Sequence, residues 1–312
     1  MRSSAAPSVA ARLAIAVVTE PERAQIAAGG PPPGVREEAL RVLLQTAADA
    51  GCAMVATRPE GDNERLLGQA WPFPTPFAVT ARTVPLSQGL DRVEARARRS
   101  LERLGLPRGE TLLVSNPSDL AGAEGRALWD RLNALKDRGL FRKIGVCATV
   151  EDGPALLARR FQPDVIQIPC NILDQRAAED GVLDALAALG VEIHVAAPFV
   201  SGLLFMAGDA LPPEFQPYAA ALSRVRRRLA EARIDPMQAA LAYALNLPGV
   251  AAVVASVASA AELRAMLAAA HAPRPDLDWG TLALPQAADL SRALHGTGLT
   301  PMDDVRRISS AA

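Results

Sequence analysis

Only two lysines, two tyrosines, three histidines and three cysteines occur in the 312 residues. Each shortage excludes something. Aromatic side chains make up 4% of the chain, too few for an ordinary all-β sandwich, and the alanine-rich, half-apolar composition favours an α/β protein with small packing residues. Cys52, Cys147 and Cys170 are too few and too widely spaced for a disulfide framework or a CxxC metal site, so they are expected as reduced thiols in a cytoplasmic protein. An excess of charge is also lacking. The formal net charge is −1 and no basic block stands out, which argues against nucleic acid or a membrane surface as partner and for a small polar or anionic ligand or a protein. The apolar run Leu13–Val18 is too short for the core of a signal peptide, and nothing reaches the roughly 18 apolar residues of a membrane span.

What is present is a repeat of short β-rich runs and amphipathic stretches, the pattern that makes parallel strands joined by crossover helices. The strand candidates are Leu13–Val18, Cys52–Thr57, Phe77–Arg82, Thr111–Asn116, Lys143–Ala148, Val165–Cys170, Glu192–Ala197 and Val250–Ser256. Eight is the number that closes a (β/α)8 TIM barrel, and residues 1–312 are read as one such domain. Between the strands, Val35–Ala50 ends at Gly51, and Val93, Ala97, Leu101 and Leu104 recur at helical spacing. Asp91 to Glu94 has the form of a capping box for that second helix. A lid-like loop over the barrel mouth is expected at about 198–233. A C-terminal extension is expected at about 273–312, with a helix at Gln286–Leu294.

Several stretches resemble the aldo/keto reductase family: Glu64–Gly68 (ERLLG), Val93–Leu106 (VEARARRSLERLGL), Leu128–Val146, Ile166–Asn171 (IQIPCN) and Pro198–Leu204 (PFVSGLL). The resemblance implies a barrel that reduces carbonyls with NADPH through an Asp, a Tyr, a Lys and a His at the C-terminal ends of strands two to four. There the Tyr hydroxyl protonates the developing alkoxide and its neighbours tune it. Anchored on Glu64–Gly68, the four positions fall on Val55, Glu60, Arg82 and Ser115. All four differ from the family pattern. Arg82 keeps a cation, but one that cannot be deprotonated as Lys can. The tyrosines, Tyr218 and Tyr243, and the lysines, Lys136 and Lys143, lie elsewhere in the chain. On the cofactor side, Gln167 matches the residue that the resemblance assigns to the nicotinamide amide. Cys147-Ala148 and Ala196 replace its other contacts, and Ser256 with Ser259, Glu262 and Met266 stand where the adenosine phosphate is held.

The pocket is therefore expected from Arg58, Arg82, Ser115, Asn116, Gln167, Asn171 and Ser256, above an interior filled by packed apolar layers. Glu60 is the candidate partner of Arg82, and His194 is expected as a half-buried structural residue. No metal site is expected. Two functions follow from these residues. One is a barrel that has lost NADPH-dependent reduction and binds a ligand or partner. The other is an active NADP-dependent oxidoreductase with a non-standard site, or a barrel repurposed around Arg82, Glu60 and Ser115.

Overall fold

A computed structural model describes residues 7–17, 33–206 and 211–296. Part of the expected lid (207–210) and the end of the expected extension (297–312) lie outside the described residues. Eight strands follow in chain order: β1 (Leu13–Val17), β2 (Met54–Ala56), β3 (Ala78–Arg82), β4 (Gly109–Val114), β5 (Phe141–Cys147), β6 (Val165–Pro169), β7 (Glu192–Ala196) and β8 (Val250–Val257). Each pairs in parallel with the next, and β8 pairs with β1, closing the barrel.

Alternation along each strand decides what faces where. In β1, Leu13, Ile15 and Val17 join the large outer core under the helices, while Ala14 and Ala16 turn inward to a small cluster with Ala56, Ala196, Ala252 and Val254. One wall of the lumen is thus built of small side chains. The opposite wall corrects the expectation of apolar layers. Val79 and Ala81, Ile144 and Val146, and Ile166 and Ile168 all face the outer cores, which leaves Thr80, Arg82, Lys143, Cys147 and Gln167 inward. Thr111, Glu192 and His194 follow by the same parity, since Leu112, Ile193 and Val195 face out. A barrel interior usually holds bulky branched residues; half of this one is polar. Gly145 on β5 is required here, because a Cβ would collide with the Val165 carbonyl oxygen and lie 2.6 Å from Leu113 Cδ2.

The helix preceding β4 (Leu90–Leu104) buries Val93, Ala97, Leu101 and Leu104 and stops at Gly105, whose φ of +65° suits the left-handed cap that glycine takes without penalty. Its start differs from the sequence expectation. Gly89 is the N-cap and Asp91 lies inside the first turn, so no capping box forms. Glu94 is used instead to clamp two helices, accepting from Arg98 on its own helix and from Arg131 and Arg138 on or just after the Gly122–Asp137 helix. Its hydrogen bonds, first that from Arg131, hold the carboxyl down to about 2. A carboxyl depressed on folding stabilises above its unfolded value, and that stabilisation is lost as pH falls through the folded one. Glu94→Gln should therefore destabilise the protein at pH 7 and do progressively less harm between about pH 4.5 and about pH 2. Urea midpoints of both proteins across that range check it.

Candidate functional site

The C-terminal ends of β3 to β7 open onto a cavity of about 360 Å³, within the range of small-molecule sites. Arg82, Ser115, Asn116, Cys147 and Gln167 line it, with Thr149, Glu151 and Asp152 along one side. Arg82 reaches it as the last inward residue of β3. It is 6% exposed, and Nη2 has no partner among the described residues. Gln167 is 3% exposed, and its Oε1 is likewise buried without a partner. An unpaired buried guanidinium is costly unless something anionic or hydrogen-bond accepting meets it.

The other polar groups are more committed. Ser115 Oγ donates to the Thr83 carbonyl at 2.6 Å, and the Ser115 N–H donates to Thr83 Oγ1. Glu151 is paired with Arg176 at 2.5 Å, and Asp152 accepts from the Thr149 N–H and hydroxyl. Burial raises the Cys147 thiol pKa, opposed by the charges of Arg82 and then Arg58. Burial also pushes Cys52 up to about 11 and Cys170 up to about 12, so both are inert buried thiols.

Arg82, Ser115, Asn116 and Gln167 line one cavity, whereas the remaining candidates go elsewhere. Val55 is buried against the outer core, and the inward residue at the end of β2 is Ala56, so neither position offers a carboxylate to the mouth. Glu60 is exposed and faces a separate open groove with Gln88, Arg92, Arg96 and Arg99, so it is not the partner of Arg82. Asn171 accepts through Oδ1 from the N–H groups of Leu173 and Asp174, the work of a loop support. Ser256 is buried at the end of β8, outside the cavity lining. Arg58 is half-buried and outside the cavity lining, and reaches the site only through its charge, which is felt at Cys147.

His194 is not half-buried but fully enclosed in the lumen, with Nε2 2.8 Å from Glu192 Oε1. Sequence reasoning also missed Ser291 and Arg292, which border the mouth from the last helix, Ala287–Gly296. The apolar spacing Ala287, Leu290, Leu294 signals the helix but not the part of the barrel on which it rests. Among the described residues, none of 198–233 lines this cavity. Val200 and Ser201 instead meet Ala287, Leu290 and Leu294 across a slot of about 20 Å³, room for about one water molecule.

The model of the aldo/keto reductase family matches residues 28–283. The chain belongs to the aldo/keto reductase family. The closed eight-stranded parallel barrel is the fold of that family. Among solved structures, an aldo-keto reductase-like protein of Pseudomonas aeruginosa is 23% identical with a TM-score of 0.59, the match covering 83% of this chain and 89% of that one. The apo form of an aldo-keto reductase from Bacillus halodurans is 20% identical with a TM-score of 0.60, covering 80% and 85%. At these identities the likeness carries the fold alone. No curated protein matches the chain. No described helix of this family member is long and apolar enough to cross a membrane, and no cluster of metal-ligating residues occurs among the described residues.

Proposed function

We propose that this aldo/keto reductase barrel binds a small anionic ligand at its mouth and does not carry out the family's carbonyl reduction. The observation that carries the reading is Arg82, a buried guanidinium with an unpaired nitrogen at the head of a cavity sized for a compact ligand. A proton donor of the family type is also wanting. Among the described residues, no tyrosine, lysine or histidine lines the cavity. Tyr243 sits 3.9 Å from Cys170 in the outer core, and Tyr218 packs beside Asp289 and Arg292. A small carboxylate suits the planar, two-pronged donor of an arginine, and the three reduced thiols fit a cytoplasmic protein.

NADP(H) is the cofactor the family implies, and the residues in place fit it poorly. Gln167 is available for a nicotinamide amide. However, the last helix closes on Val200 and Ser201, leaving about 20 Å³ beside the mouth, and a dinucleotide could not extend from the cavity along that side. Calorimetric titration of the protein with benzoate and with NADPH, paired with an aldehyde-turnover assay, tests the reading. Benzoate should bind and NADPH should neither bind at micromolar concentration nor be consumed. NADPH affinity in that range together with turnover would overturn it.

A further inference from the structure

Below the mouth, the polar wall of the lumen is continuous. Strand register places Thr80 beside Thr111 and Thr111 beside Lys143. Lys143 Nζ lies 2.7 Å from Glu192 Oε2, and Glu192 Oε1 lies 2.8 Å from His194 Nε2. Register then places His194 beside Gln167, and Gln167 beside Cys147. Four of these neighbours share one property. Thr80 Oγ1, Thr111 Oγ1, His194 Nδ1 and Gln167 Oε1 are all buried and without a partner among the described residues. Gln167, in register with His194, is the one of the four that also lines the mouth cavity.

An amide has a donor end and an acceptor end, so what it shows the cavity depends on what its other end meets. With the imidazole Nε2–H engaged by Glu192, a neutral His194 presents a bare Nδ1 lone pair. A protonated one presents an Nδ1–H donor. We propose that His194 is a positioning residue for the mouth: protonated, it donates to Gln167 Oε1 and turns the amide N–H groups toward the cavity, where with Arg82 they hold a carboxylate. Neutral, it accepts from Gln167 Nε2 instead, and the amide oxygen then faces the cavity and opposes an anion. The role of His194 deepens the reading of the mouth as an anion site and rests on it.

The groups facing His194 make this switch local. On its own strand is Glu192, held down to about 2 by its hydrogen bond from His194 and then by Lys143, so it stays ionised through the range in which histidine titrates. β5 brings Lys143, and β4 brings Glu110, 3.5 Å from Lys143. β3 brings Thr80 and, one inward position higher, Arg82. β6 brings the neutral Gln167. β8 brings Ala252 in register, and the inward residues of β1 and β2 are Ala14, Ala16, Met54 and Ala56. Gln167 is thus the in-register polar neighbour that joins the histidine to the cavity.

Linkage makes the effect reciprocal: an anion in the mouth must favour the protonated histidine by the factor that protonation favours the anion. The test uses the whole protein. Of the three histidines, His194 is assigned by loss of its ring signals in His194→Gln, and the Gln167 side-chain amide by their loss in Gln167→Leu. In the wild type the Gln167 amide signals should shift with the midpoint of the His194 ring titration. Benzoate should bind at least about tenfold more tightly at about pH 5.5 than at about pH 8, and His194→Gln should flatten that ratio to less than about twofold. Amide signals that stay fixed while the ring titrates, or an unchanged pH ratio in His194→Gln, would overturn the role of His194 even with benzoate bound. A ring that does not titrate overturns it too. If neither benzoate nor inorganic phosphate binds at any pH, the anion site itself falls. The amide titration then still decides whether His194 sets Gln167.

Discussion

Arg82→Met should stabilise the fold and weaken ligand binding at once. Arg82 is 6% exposed, with Nη2 buried and unpaired among the described residues, and a buried cation without an anion is a cost that an apolar side chain of similar length removes. A gain of about 1–3 kcal/mol is expected, which in a domain of this size raises the thermal midpoint by roughly 2–4 °C per kcal/mol. The same change deletes the donors that meet a carboxylate. Charge-assisted hydrogen bonds of this kind contribute about 1.5–3 kcal/mol each, so benzoate affinity should fall on the order of 100-fold. Thermal unfolding and calorimetry on the same samples check both halves. A lower midpoint would show that Arg82 supports the barrel rather than waiting for a ligand. The opposite signs are the mark of a binding residue held at the expense of stability.

Gly145→Ala should be the most damaging single-methyl change in the barrel wall. The added Cβ meets a backbone carbonyl oxygen, that of Val165 on the neighbouring strand, and the Leu113 side chain on the other. A strand in a closed barrel cannot step aside without disturbing both its ladders, so the overlap costs about 2–4 kcal/mol. A lower denaturant midpoint with an unchanged slope is the expected result. Because Cys147 and its register partner Gln167 stand one inward position above Gly145, benzoate binding should weaken along with stability. A change in stability within about 0.5 kcal/mol would mean that the strands separate more readily than the packing implies.

The site was half legible in the chain. Arg82, Ser115, Asn116 and Gln167 could be placed because they end strands whose hydrophobic runs are unmistakable, and the ends of barrel strands form the mouth. Val55 could not, because β2 is only three residues long. In so short a strand one residue of register decides whether a side chain meets the outer helices or the lumen. Glu60 looked like a partner for Arg82 by nearness in the strand order, yet the loop after β2 carries it into the groove beside Arg92 and Arg96. Ser291 and Arg292 were out of reach for a different reason. Nothing local says on which part of the barrel a helix after the last strand will rest.

By itself the sequence determined the eight-strand repeat, the helices that stop at glycine and the family, since these follow from periodicity, turn chemistry and motifs within short windows. Closure of the barrel decided the rest. It is closure that brings Lys143 to Glu192 across 49 residues and sets His194 beside Gln167. It also turns a scatter of threonines and charges into one polar wall facing alanines. Alternation predicts that a side chain has two possible directions, and only the closed sheet defines which of them is inside.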